Sequence, residues 1–168
     1  INYDFERAME NYQLAAEQGL AEAQLNLAQI YHYGPSHIQN HSKANSWYKK
    51  SAKKGMYEAE FNLGLMAHYG RGINQDYVQA MKHYMKASAK SIPEADLNIA
   101  FLHHYGLGTA VDLDKSFEYF TKAAKHNFPQ AQYHLGLIYQ NGHPVKKDLN
   151  QANYWFEKAA EQNLDEAK

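Results

Sequence analysis

Apolar positions along this chain recur at helical spacing, and the whole pattern returns every 36 residues. Ala23, Leu27, Ile30 and Tyr31 stand at i, i+4, i+7 and i+8, the stripe of a helix with one buried face. The copies of this helix A read Ala59, Leu63, Met66, then Ala95, Ile99, Leu102, then Ala131, Leu135, Ile138, Tyr139. Beside them Ala28, Gly64, Ala100 and Gly136 stay small, which predicts the close approach of a second helix. Gly34, Gly70, Gly106 and Gly142 follow, each read as a left-handed residue that ends helix A. A polar residue then predicts the N-cap of a helix B, at Asp4, Asn40, Asp76, Asp112 and Asp148. Helix B is expected to bury Ala44, Trp47, Tyr48, Ser51 and Ala52, with copies at Ala80, Tyr84, Ala87, at Ser116, Tyr119, Phe120, Ala123, and at Ala152, Trp155, Phe156, Ala159. Its predicted stops are Gly19, Gly55, Ser91, Asn127 and Asn163, after which Pro93 and Pro129 suit the first turn of the next helix A.

The register holds without an insertion. Aligning Ala23, Ala59, Ala95, Ala131 and Ala167 gives full units at 23–58, 59–94, 95–130 and 131–166, with 1–22 matching the second half of a unit and 167–168 the start of another. One solenoid over 1–168, cut from a longer array, is the expected organisation. Two short helices per unit and no strand signal predict an all-α, right-handed α-α superhelix of helix-turn-helix repeats.

Leu135-Gly136-x-x-Tyr139 with Ala152-x-x-x-Phe156 resembles the tetratricopeptide pattern, in a unit longer than 34 residues by two. Together with Gly70-x-Gly72-Ile73-x-x-Asp76 between the helices, the chain resembles the Sel-one-like repeat (SLR) family over essentially all of its length. Departures are local: Pro35-Ser36 and Pro144 displace the second loop glycine, and Ala67 and His103 displace the tyrosine seen at Tyr31 and Tyr139.

Helix A carries a second stripe that packing does not require: Glu22, Leu25, Asn26, Gln29, His32 and Tyr33. The resemblance implies that it lines a concave groove. Read down the repeats it forms columns: Leu25, Phe61, Leu97, Tyr133; Asn26, Asn62, Asn98, His134; Gln29, Leu65, Phe101, Leu137; His32, His68, His104, Gln140; and Tyr33, Tyr69, Tyr105, Asn141. Aromatic rings supply contact area, and Asn and His side chains can hydrogen-bond an extended peptide backbone. The expected peptide-binding residues are Asn26, Gln29, His32, Tyr33, Asn62, Leu65, His68, Tyr69, Asn98, Phe101, His104, Tyr105, Leu137 and Gln140. The first column reads as half-buried core.

Seventeen Lys and Arg against eighteen Asp and Glu give a net charge of −1, so no basic field is present to hold nucleic acid. Apolar runs are far short of the roughly 20 residues that cross a bilayer, and no signal peptide opens the chain. Compartment is left open. The absence of cysteine removes disulfides, thiol catalysis and thiolate metal sites. Ten histidines invite a metal, but neighbouring helices lie roughly 8–10 Å apart and no carboxylate stands among His32, His68 and His104, so neither metal nor cofactor is expected. No H-E-x-x-H, G-x-S-x-G or P-loop occurs.

The expected function is a non-enzymatic scaffold or adaptor that holds a protein or peptide segment; composition leans bacterial. SLR proteins, as the resemblance implies, act as adaptors in signalling, membrane-associated quality control and envelope or host-interaction systems. Two alternatives stand beside it. One is a structural spacer within a larger repeat protein; the other is a hydrolase of cell-wall fragments or small molecules, against which the missing cysteine and nucleophile–base pair count. The opening helix B, with Tyr12 and Ala15 on its apolar side, is expected to make end-to-end or dimer contacts.

Overall fold

The computed structural model describes residues 2–162, with side chains over 7–162. Among the described residues there are nine helices and no strand: α1 (Asn2–Glu17), α2 (Ala21–Tyr33), α3 (His41–Lys53), α4 (Tyr57–Tyr69), α5 (Tyr77–Ser88), α6 (Pro93–Tyr105), α7 (Leu113–Lys125), α8 (Pro129–Asn141) and α9 (Leu149–Glu161). They belong to two compact units, residues 1–90 and 91–168. In the first, α2 packs on α3 and α4 on α5; in the second, α6 packs on α7 and α8 on α9. The architecture is the all-α repeat superhelix expected from the spacing.

Each start of a helix B is a chemical event. The side chains of Asn40, Asp76 and Asp112 accept from the backbone N–H of Lys43, Gln79 and Lys115 at 2.9 Å, and Asp148 accepts from Asn150 and Gln151. These bonds satisfy N–H groups that the helix itself leaves without partners. Asp4 corrects the expectation of a cap there, since α1 already begins at Asn2 and Asp4 lies within it; the Asn163 stop lies outside the described residues. The other four helix B stops all take positive φ: Gly19 +91°, Gly55 +89°, Ser91 +62° and Asn127 +62°. Pro93 and Pro129 open α6 and α8 as expected.

Helix A ends as predicted at Gly70, Gly106 and Gly142, which are left-handed with φ of +67°, +67° and +75°. Gly34 corrects the expectation. It is extended at φ −68°, ψ 177°, because Pro35 follows and its ring pushes the preceding residue toward extended backbone.

The small-residue column does what its size allows. A Cβ on Gly64 would lie 2.5 Å from the Tyr84 ring, and one on Gly136 would lie 2.5 Å from the Phe156 ring, so the paired helix presses an aromatic ring onto bare backbone. Ala28 and Ala100 hold the same register and are fully buried. Tyr48, Tyr84 and Phe120 are fully buried as well and anchor the paired helices. Trp47, expected in the core, is half-buried, and Lys50 Nζ lies 3.7 Å from the centre of its ring, so the indole is shared between core and a cation.

Another buried column reads Gln24, Glu60, Asp96 and Gln132. Gln24 and Gln132 donate through Nε2 to the carbonyls of Ala16 and Ala124, near the ends of α1 and α7, where a helix leaves acceptors unpaired. Glu60 instead binds His83 at 2.6 Å and Lys86 at 3.0 Å, tying α4 to α5.

Candidate functional site

The second stripe of helix A separates into layers once its side chains are placed. Tyr33, Tyr69 and Tyr105, the last residues of α2, α4 and α6, are 55%, 55% and 58% exposed. Gln29 and Gln140 are also exposed, while Leu65, Phe101, Leu137, Asn26 and Asn98 are half-buried. His32 corrects the expectation that its ring meets a ligand: it is 1% exposed. Its Nδ1 lies 3.3 Å from the Tyr48 hydroxyl, so it is a strut between α2 and α3. His68 repeats the contact to Tyr84 at 3.4 Å but stays half-buried.

The tyrosines are thus backed by rings. His32 stacks on Tyr33 with centroids 3.9 Å apart, and His68 on Tyr69 at 4.5 Å. In these two repeats a histidine tied to the buried tyrosine of helix B supports the exposed ring from behind.

The asparagine column is largely spent on the scaffold. Asn62 is buried, donates to the Glu58 carbonyl at 2.8 Å and accepts from the Tyr33 hydroxyl at 3.1 Å. Its expected place in ligand contact is corrected for that reason: both ends of the amide already have partners. Asn98 likewise donates to the Glu94 carbonyl. Asn26 joins Ala8, Tyr12, Gln29, Ile30 and Tyr33 around an open cavity of about 480 Å³ between α1 and α2. Tyr12 is 37% exposed there.

Arg71 is the residue that periodicity missed. It lies in the loop between α4 and α5, at the register of Pro35, Leu107 and His143, so no column announces it. Its Nη1 is 3.3 Å from His32 Nε2, and its guanidinium carbon is 5.2 Å from the centre of the Tyr69 ring. A guanidinium can only donate, so Nε2 accepts; the neutral ring then carries its proton on Nδ1 and donates it to Tyr48. Burial first, then the charge of Arg71 and the proximity of His41, lowers the pKa of His32 to about 4. Its rarity was the available sequence signal, since Arg7 is the other arginine in the chain.

In the second unit the pattern breaks. Phe120 replaces the tyrosine of Tyr48 and Tyr84, and His104 loses its hydroxyl partner. The His104 ring stands perpendicular to Tyr105, at 4.8 Å and 88°, and meets His134 edge-on at 5.8 Å. His134 stacks on Phe120 at 4.8 Å, and burial together with His104 lowers its pKa to about 4. Around these rings opens a cavity of about 470 Å³, lined among others by Tyr105, Ser116, Leu137 and Asn141. The Ser116 hydroxyl is buried without a hydrogen-bond partner.

Among the described residues no group of three or more metal-ligating side chains occurs, and no helix is long and apolar enough to cross a membrane.

The Sel1 repeat family matches residues 1–20, 21–56, 58–91, 93–128 and 129–164. A solved structure of a protective antigen present in uropathogenic Escherichia coli, with an SLR fold, is 35% identical, with a TM-score of 0.89 over 95% of this chain and 34% of that one. A Sel1 repeat protein from Oxalobacter formigenes is 34% identical, with a TM-score of 0.83 over 95% of this chain and 46% of that one. The chain therefore spans about a third to a half of the length of these two. An immunity protein from Pseudomonas aeruginosa, 22% identical with a TM-score of 0.59 over 97% of this chain and 60% of that one, shares the fold. No curated protein matches the sequence. Five consecutive matches at the spacing of the helix pairs, with structural likeness above 30% identity, place this chain in the Sel1 repeat family.

Proposed function

We propose that the chain is a non-enzymatic scaffold that holds an extended peptide segment of a partner protein against the exposed face of its A helices. Sel1 repeat proteins generally mediate protein–protein interaction, which supports the coarse reading. The observation that carries the finer one is the exposure of Tyr33 and Tyr69 in the first unit, each 55%; in the second unit Tyr105 is exposed at the same repeat register. Tyrosine gives a large contact area at little cost in side-chain entropy, and the Tyr33 and Tyr69 rings, already held by stacked histidines, have less freedom to lose on binding. Leu65 in the first unit, and Phe101 and Leu137 in the second, add half-buried apolar surface beside them.

Peptide-display selection against the whole chain tests this. Selected peptides are expected to bind at least about tenfold more weakly to a Tyr33→Ala, Tyr69→Ala, Tyr105→Ala variant whose helical circular dichroism is unchanged, the loss typical of removing an aromatic anchor. Equal binding to both proteins, or selection of no peptide at all, would leave the spacer reading in its place.

A further inference from the structure

Arg71 is held by a group that does not neutralise it. Arg71 is exposed, and among the described residues no carboxylate forms an ion pair with it, so its free donors face a partner from solution. Its partner is His32, 1% exposed, whose Nε2 accepts one N–H while the other ring nitrogen is tied to Tyr48. Five donors leave a guanidinium, and the imidazole takes one.

The backbone is fixed as well. Gly70 and Gly72 flank Arg71 at φ of +67° and +71°, and a Cβ on Gly72 would lie 2.5 Å from the His41 backbone, so the loop is pressed onto the start of α3. The Arg71 amide donates to the Met66 carbonyl at 2.9 Å. The side chain then runs over the Tyr69 ring toward His32, which stacks on Tyr33. A cation on a fixed loop, laid against the exposed Tyr69 ring and without a carboxylate on it, has the layout of an oxyanion receptor: guanidinium donors for two oxygens, with the Tyr69 hydroxyl as a further donor.

We propose that Arg71, together with Tyr69, binds an oxyanion, a carboxylate or phosphate group carried by the bound peptide. The inference rests on the peptide reading above for the carrier alone; the anion site stands on Arg71 and His32. Its sibling positions Pro35, Leu107 and His143 carry no such fixed charge, so the site belongs to one repeat and sets the register of the acidic group along the peptide.

The chain has two arginines, and Arg7, exposed on α1, is the internal control. Nitrogen-15 NMR of the arginine Nε–Hε groups is followed while inorganic phosphate, and separately acetate, is added at constant ionic strength. Expected is a saturating shift of Arg71 and of the Tyr69 ring, with Arg7 drifting linearly. Arg71→Lys should weaken the Tyr69 response about tenfold, since an ammonium lacks the planar fork, and Arg71→Leu, the residue found at position 107, should abolish it. The anion that saturates at the lower concentration identifies the preferred group. Parallel linear drift of both arginines, or an unchanged Tyr69 response in Arg71→Leu, overturns the proposal. Saturation with no selectable peptide would remove the peptide reading and leave a site for a free anion; peptide binding without saturation would remove the anion site alone.

Discussion

His32 Nδ1 lies 3.3 Å from the Tyr48 hydroxyl, both side chains 1% exposed or less, and the same pair returns as His68 and Tyr84 at 3.4 Å. A buried polar pair of this kind links helix A to helix B and aligns the exposed tyrosine stacked on the histidine. Tyr48→Phe leaves the buried imidazole N–H without its acceptor and is expected to lower unfolding stability by about 1–2 kcal/mol. Phe120→Tyr should act in the opposite sense, since it restores to His104 the hydroxyl that the other two repeats possess. Urea midpoints of the two variants against the parent check both signs.

Acid should weaken the fold in a defined window. His32 and His134 each drop from 6.5 to about 4 in the folded chain, in both cases chiefly because burial disfavours the charged ring. The unfolded chain therefore binds protons that the folded chain refuses. Stability is fully present above pH 6.5 and falls as pH drops from 6.5 toward 4, with His68 and His103 shifted in the same direction. Asp76 and Asp112, held below 3.8 mainly by backbone N–H bonds, add their own loss only in more acidic solution. Unfolding midpoints between pH 7.5 and 4.5 should slope downward, and His134→Asn, the residue at positions 26, 62 and 98, should flatten the slope.

The four helix A glycines should respond unequally to alanine. Gly106 and Gly142 are left-handed, and a Cβ at Gly142 would lie 2.7 Å from that of Lys147, so alanine there should cost about 1–2 kcal/mol. Gly34 is extended, a backbone that alanine adopts freely. Gly34→Ala should leave the melting temperature within a degree or two, about the scatter of a surface substitution. A large loss at Gly34 equal to that at Gly106 would contradict the role assigned to Pro35.

Gly64→Ala tests the helix contact instead of the turn. The new methyl would press on the Tyr84 ring, an overpacking cost of about 1–3 kcal/mol set against roughly 1 kcal/mol of gained helix propensity. A net loss of about 1 kcal/mol in denaturant unfolding is expected, with the far-ultraviolet spectrum unchanged.

The 36-residue period was legible because every unit solves the same local problem. Ala23 and its copies mark the buried face, Asn40, Asp76, Asp112 and Asp148 start helix B, and glycine, serine or asparagine turns stop it. These choices depend on neighbours a few residues away, so a single sequence was enough to specify nine helices and their pairing among the described residues. Gly34 escaped because the deciding residue, Pro35, acts through a backbone clash that the repeat pattern averages out.

The A-helix stripe marked one side of each helix but could not rank its residues by depth. A helical register says which side a residue occupies, and it is silent on how deep the ring lies or what the next helix offers it. Tyr33, Tyr69 and Tyr105 emerged, whereas His32 and Asn62 were drawn in, because Tyr48 and Tyr33 supplied hydrogen-bond partners that water would otherwise have provided. The register of Arg71 carries unlike residues in the other repeats; only the folding of its loop onto the preceding repeat brought its charge to His32. Periodic short-range chemistry was written in the sequence, and the partners met across repeats were settled by tertiary contact.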